Sequence, residues 1–532
     1  MTAKRVGTWV SVALMSWCLA VDQVAAEWPA TDATEAATWA QAEPTGEGPA
    51  TAAPGNDDEL TQRLAHLEAE IALLRSALET QPTAWQAPAS GGTPGGASAG
   101  APDVAATRKE FTAWWTEMKN STYPNVTVNA AFQADTGFFS QDAASVAAHG
   151  NLQDGADFRR ARLSAKAAIT ETVNGFFQMD FAFFGRPTFT DLWVENTSIP
   201  GIGTIRFGQW KQPFSLEVVS SYRYTTFMER SVLFQPFTPF RHVGAGFYNH
   251  SEDLNWTWAA SGFRAGQDQF GGSISTDGGW ATAERITHLL YWDEPSDGHA
   301  YVHIGLGHYF SNPPFDAARF RTIPEIYIGE NSPGVLGTSG QPSTGPFFGT
   351  PFFVDTGNLF DISSFNVLGT ELLWVHGPWS LQSETMVDMV NREAHPNPTF
   401  WGFYSQVGYF LTGEHRPYDR INGAIDRVIP HSNFFCVPTA EGVGHGPGAW
   451  EVAARISYVD LSSNGVPGGT LTDFTAGVNW YWNPYTKMVF NYIHAWNDQD
   501  QRFAYGEIPP GPFPGVGPNG TDIFAARIQM DF

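Results

Sequence analysis

The C-terminal stretch constrains the fold more than any other part of the chain. From Ile523 to Phe532, Phe524, Ala526, Ile528, Met530 and Phe532 alternate with Ile523, Ala525, Arg527, Gln529 and Asp531. That is the period of a strand with one apolar face and one increasingly polar face. Such a strand must pair with chain upstream of it, and the simplest way to leave no open edge is to close a barrel. In a soluble sandwich the apolar face would point to the core. In an outer-membrane barrel it points to lipid, and Arg527, Gln529 and Asp531 face a wet lumen.

Composition narrows the choice. Over 532 residues the chain is 14% aromatic, with 54 glycines and 36 prolines, a mix that suits many strands joined by turns. Outside the N-terminus no apolar run approaches the ~20 residues of a membrane helix, so membrane insertion would have to be as a barrel. A formal charge of −25 excludes general nucleic-acid binding, which needs a basic footprint. It says less about small ions, because a pore responds to the charge lining its constriction.

Cys18 and Cys436 are the only cysteines, and Cys18 lies in the N-terminal apolar segment, so neither an intramolecular disulfide nor a cysteine metal cluster is expected. His299, His303 and His308 do not share one strand face and lack adjacent carboxylates; no metal is expected there. Glu384 with Asp388, and Asp498 with Asp500, are carboxylate pairs of the kind glycosidases use, but a chain with 54 acidic residues contains such pairs by composition alone. Without a nucleophile elbow, phosphate-cradling glycine loop or zinc-binding helix, the expectation is a protein with no cofactor and no catalytic residues.

Lys4 and Arg5, an apolar run from Val6 to Val21 and small residues at Ala25 and Ala26 read as a secretory signal peptide over residues 1–26. Residues 27–56, rich in Ala, Thr, Pro and acids, are expected to be unstructured. Over residues 57–80, Leu60, Leu64, Leu67, Ile71, Leu74 and Leu78 form the seam of a short coiled coil with an acidic N-terminus. Residues 81–104 read as a flexible tether, and residues 105–122 as a short helical lead-in to a barrel over 123–532.

From Val126 the two-residue alternation recurs. Arg160, Arg162, Ser164 and Lys166 share one face, against Ala161, Leu163, Ala165 and Ala167. A basic side chain facing lipid at mid-bilayer costs ~2–4 kcal/mol, which makes that face the lumen if the sheet is a membrane barrel; in a soluble sandwich it would be the solvent face. Further strands read at 202–210, 255–264, 281–292, 299–310, 367–375, 379–387, 400–411, 450–461, 473–481 and 486–496. Segments 312–360 and 412–448 read as long loops.

Several motifs, in order, resemble the phosphate-selective porin O/P family of outer-membrane channels. They are Phe158-Arg-Arg-Ala-Arg-Leu163, Ile205-Arg-Phe-Gly-Gln-Trp-Lys-Gln-Pro-Phe-Ser-Leu-Glu217, Phe227-Met-Glu-Arg-Ser231, Tyr409-Phe-Leu-Thr-Gly-Glu-His-Arg-Pro-Tyr418, Gly448-Ala-Trp-Glu-Val-Ala-Ala-Arg455 and Gly477-Val-Asn-Trp-Tyr-Trp-Asn-Pro484, followed by the strand ending at Phe532. The resemblance implies an all-β, closed transmembrane antiparallel barrel of about 16 strands, usually trimeric, with inward loops and a basic anion path. Arg160, Arg162, Lys166, Arg206, Lys211, Arg223 and Arg230 are the counterparts of that lining, with Phe532 as the barrel-terminal signal. Salt bridges to Asp180, Glu195, Glu217 or Glu229 are the competing role for the same side chains.

The resulting expectation is an outer-membrane porin passing small anionic, phosphate-like solutes, with a periplasmic N-terminal segment, lipid around the barrel and a homotrimeric assembly. Its narrowest part is expected in an inward loop over residues 214–243. Two other readings remain open: a barrel serving mainly as an anchor, whose coiled coil binds an envelope or cell-wall partner, and a soluble β-rich carbohydrate-active enzyme.

Overall fold

The computed structural model describes residues 123–182, 188–266, 270–271, 278–329, 350–435, 437–439, 442–498, 501–502, 513–514 and 517–532. The signal peptide, linkers, coiled coil and lead-in expected for residues 1–122 lie outside the described residues. Long strands run in chain order as β1 (Asn125–Gln141), β2 (Gly155–Ala168), β3 (Val173–Asp180), β4 (Thr188–Ile199), β5 (Gly203–Lys211), β6 (Arg241–His250), β7 (Trp256–Arg264) and β8 (Trp280–Trp292). They continue as β9 (Ala300–Asn312), β10 (Ile362–His376), β11 (Trp379–Arg392), β12 (Thr399–Phe410), β13 (Ala449–Ser463), β14 (Val466–Asn483), β15 (Thr486–Asp498) and β16 (Asn519–Asp531).

Each strand pairs antiparallel with the next, and β16 pairs with β1 from Ala131 opposite Asp531 to Gln141 opposite Thr521, so the barrel closes. The expected terminal strand is the one that makes the closure. Its two faces divide as the alternation requires: Arg527, Gln529 and Asp531 are buried inside, whereas Phe524 and Met530 are exposed outside.

The outer face is apolar around the wall. Leu163, Leu192, Phe207, Ile286, Leu306, Leu368, Val407 and Phe490 are all exposed there, a pattern that water would oppose and lipid favours. Exposed Trp258, Tyr291, Trp374 and Trp379 fall toward one rim, and Trp280, Trp401 and Trp496 toward the other. Those are the positions of two interfacial girdles.

β4 and β6 escape the sequence pattern for different reasons. In β4 a register shift opposite Gln178 and Met179 puts Thr190 and Asp191 consecutively on the buried side, so the period slips by one residue. In β6 the inward positions after His242 are Gly244 and Gly246, against outward Val243 and Phe247; glycine conceals the polar half of the alternation. β6 also takes residues 241–243 out of the inward loop expected there, which spans 212–240.

Connections after even-numbered strands are short except for 411–448, and those after odd-numbered strands include 212–240 and 313–361. The described parts of all three long segments reach into the lumen. Phe214, Val232, Leu233 and Phe237 from the first, and Phe320, Phe353, Val354 and Leu359 from the second, share an apolar cluster with wall residues Phe263, Tyr309, Phe365, Val367, Phe400 and Val459. Phe214 lies against two wall glycines: a Cβ at Gly307 would stand 2.9 Å from its ring and one at Gly369 3.1 Å from it. From the opposite end, Tyr418 and Ile425 of 411–448 pack with Leu216, Leu289, Tyr301 and Leu373. The barrel is therefore narrowed from both ends.

The outward face gives a direct test. Leu306 sits mid-strand in β9 and is 59% exposed. Leu306→Arg is expected to cost about 2–4 kcal/mol in reversible unfolding from a bilayer, whereas Leu306→Phe is tolerated; a negligible cost for the arginine would place that face in water.

Candidate functional site: the narrowed lumen

The segment 212–240 carries only two single-turn helices, Leu216–Val219 and Phe234–Phe237, so most of its backbone has no regular partners. Inside a membrane barrel such carbonyls and amides must be satisfied by protein or by luminal water. Here side chains from the wall do it in sequence order. Lys211 Nζ donates to the carbonyls of Val218, Val219 and Ser220 at 2.5, 3.0 and 2.8 Å. Gln529 donates to Arg223 O at 3.0 Å, Lys487 to Thr225 O at 2.8 Å and Asn479 to Thr226 O at 2.8 Å. Arg527 donates to Met228 O, and Arg455 to Glu229 O at 3.0 Å. At the start of the segment, Glu384 accepts from the amides of Leu216 and Glu217 at 3.0 and 2.9 Å.

The arginines that hold carbonyls also hold carboxylates. Arg527 pairs with Asp135 at 2.5 Å and with Glu229 at 2.7 Å, and Arg159 joins Glu229 at 2.8 Å. A bulge in β2 places Arg159 and Arg160 side by side opposite Gln133, which lets both approach Glu229. Across the lumen, Arg285 pairs with Glu371 at 2.7 Å, and Arg285 also donates to Gly423 O at 2.7 Å in the 411–448 segment. That segment is clamped further by Arg416 to Glu451 and Arg427 to Asp531, and Arg416 reaches Tyr224 O of the first segment at 3.1 Å.

The seven basic residues singled out from the sequence fall into distinct settings. Arg160 and Arg162 are buried on the inner face of β2, both over the Tyr222 ring, with Arg162 ion-paired to Asp180 at 2.7 Å. Lys166 continues that face at the exposed end of the strand. Arg206 lies 4.0 Å from the Trp193 ring and 4.9 Å from that of Tyr248, and pairs with Glu195 at 2.6 Å. Lys211 meets the inward segment from the wall, and Arg230, within that segment, donates to Glu217 O at 2.9 Å. Arg223 stands 3.7 Å from Asp531.

Arg241, Arg285, Arg416, Arg455 and Lys487 were not among the residues singled out. Arg455 and Glu451 could have been read from their even spacing in the motif Gly448 to Arg455; Arg416 could not, because its segment has no period. A cavity of about 290 Å³ opens among Asp191, Arg206, Lys211, Tyr248, Arg285 and Asp426. Its wall is cationic, anionic and aromatic at once, suited to small polar solutes rather than apolar ones.

Residues 126–318 and 350–532 match the family model described as phosphate-selective porin O and P. Porin O of Pseudomonas aeruginosa is 25% identical over 410 residues, 72% of this chain and 84% of that protein. An uncharacterized protein of Caulobacter vibrioides is 24% identical over 389 residues, 71% of this chain and 68% of that protein. Among solved structures, an anion-selective porin from Comamonas acidovorans aligns with a TM-score of 0.45 and 10% identity over 77% of this chain and 99% of that chain. The trimer form of OmpT from Vibrio cholerae aligns at 0.44 and 10% over the same shares.

The 411–448 clamp carries a pH dependence. The His415 ring lies 4.0 Å from that of His299, and burial, then the nearby His299 and His431, lower its pKa to about 4. The unfolded histidine takes up its proton near pH ~6.5. Its contribution is therefore fully present above that pH and is lost as pH falls from ~6.5 toward about 4, where the unfolded state binds the extra proton. Amide exchange in the described part of 411–435 is expected to be independent of pH-linked opening above neutrality and to loosen across that window, and His415→Gln should flatten the profile.

Proposed function

The chain belongs to the phosphate-selective porin O and P family, and on that premise we propose that it is an anion-preferring diffusion channel. Its setting is the bacterial outer membrane. We propose further that it assembles as a homotrimer, with the segment before the barrel on the periplasmic side and the coil over residues 57–80 reinforcing that assembly. Fold and family are those of a channel, in which passage replaces chemical turnover.

One observation carries the anion preference. Lys211, Arg230 and Lys487 donate to backbone carbonyls, so hydrogen bonding orients them without an equal and opposite charge at the same atom. A passing anion can replace part of its hydration by such groups, while carboxylates engaged by an arginine, such as Glu229, Glu371 and Glu451, are poor stations for a cation. The net charge of −25 does not oppose this reading, since charges beyond ~10 Å are screened at 0.1 M salt. Arg160, Arg162, Lys166, Arg206 and Arg223 complete the proposed path. The ion pairs on Arg162 and Arg206 make them fixed parts of the wall, whereas Lys166 at its exposed end would gather anions.

Single channels in a planar bilayer across a potassium chloride gradient test this. The reversal potential should carry the sign of chloride preference. Lys211→Met and Lys487→Met should each lower the anion-to-cation permeability ratio about sevenfold, because one unit charge at ~7 Å in water is worth ~0.6 kcal/mol and acts with opposite sign on anion and cation. A cation-signed potential in the unaltered channel would transfer control to the acidic residues.

A further inference from the structure

The family match stops at residue 318 and resumes at 350, and part of the intervening chain is folded into the lumen. Ile326 and Ile328 enter an apolar pocket made by Met228, Val489, Ile493, Ile523 and Ala525. Between the wall and these two anchors, Glu325 is 2% exposed. Its carboxylate accepts from Arg455 at 2.5 and 2.8 Å and from the Thr475 hydroxyl at 2.6 Å, and its other oxygen accepts from the Ser457 hydroxyl.

One guanidinium and two hydroxyls converging on two oxygens are what a small oxyanion requires. Arg455, Ser457 and Thr475 all stand on the wall strands β13 and β14; the carboxylate comes from outside the matched residues. The fourth side of the constellation has a different character. Asp473 is fully buried and accepts from the Glu325 amide at 2.8 Å through Oδ2, while its Oδ1 has no hydrogen-bond partner among the described residues. A buried polar atom without a partner asks for one, and an oxyanion in place of the Glu325 carboxylate supplies it.

We propose that Arg455, Ser457 and Thr475 form an oxyanion site on the barrel wall, held in this structure by Glu325 as a tethered competitor, and that its solute is a small tetrahedral oxyanion that also hydrogen-bonds with Asp473 Oδ1. The inference deepens the anion-channel reading and rests on it. The solute displaces the carboxylate from Arg455, and Ile326 with Ile328 keeps the segment near the wall, so the tether sets how much solute is needed. Arg455 does not lose its position when the carboxylate leaves, because Glu217 at 3.3 Å and Glu229 O at 3.0 Å still hold it.

The test uses the full chain refolded in detergent, with sodium phosphate and sodium sulfate at constant ionic strength and neutral pH as probes in titration calorimetry, and single-channel recording on the same samples. Glu325→Ala should bind phosphate and sulfate each at least about tenfold more tightly than the unaltered protein. Adding Ser457→Ala and Thr475→Val to Glu325→Ala should abolish the gain. Glu325→Gln, which keeps the shape and removes the charge, should fall between the two and guards against a folding defect in the alanine variant. Equal phosphate affinity in the unaltered protein, Glu325→Ala and Glu325→Gln would overturn the tethered-competitor site, and conductance in those samples would leave the channel reading standing. Tighter binding in folded protein that conducts nothing would support the site and overturn the channel.

Discussion

An irregular segment inside a membrane barrel survives only if something answers its backbone, and in this protein the barrel wall answers it with cationic and amide side chains. The carbonyls of Arg223, Thr225, Thr226, Met228 and Glu229 go in turn to Gln529, Lys487, Asn479, Arg527 and Arg455. An unsatisfied carbonyl at that depth would cost several kcal/mol. This requirement accounts for much of the basic inner face. It also explains why the long guanidinium fork serves better than lysine at Arg455 and Arg527, which must hold a carbonyl and two carboxylates at once.

Two consequences follow for permeation. Arginines whose donors are divided between carbonyls and carboxylates are fixed, so the narrow part of the lumen is preorganised rather than swept by mobile side chains. The cations that keep an excess of charge are those that meet carbonyls alone. Packing adds to this rigidity: the Phe214 slot over Gly307 and Gly369 couples the inward segment to β9 and β10, while Tyr418 and Ile425 bring the segment from the opposite end against Leu216. Both segments meet directly at Arg416 and Tyr224 O.

Much of the barrel was legible in the chain because its physics is local. Phe524 to Asp531 and Arg160 to Ala167 show which residues share a face, and the structure buries Arg527, Gln529 and Asp531 of the first and Arg160, Arg162 and Ser164 of the second. β4 was hidden by a bulge at Thr190, and β6 by the glycines at 244 and 246, since neither defect announces itself in a window of alternating residues. The ends of β10 and β14 lie several residues beyond the stretches read from sequence. The lumen was less legible. Which carboxylate meets Arg206 could be anticipated, because Glu195 lies directly across from it on the neighbouring strand. That Arg416, Arg427 and Glu325 would enter the lumen could not, because their segments carry no period and their contacts, such as Glu325 with Arg455, span 130 residues.

The inward segments, clamped by arginine pairs, narrow the lumen from both ends. Unit conductance of the Arg416→Gln, Arg427→Gln double variant measures it most directly, because both side chains hold the 411–448 segment to Glu451, Asp531 and Tyr224 O while the wall strands keep their ladders. Steps larger than those of the unaltered channel, with weaker ion discrimination, are expected. Steps of unchanged size from folded channels would contradict it and show that the segment does not narrow the path.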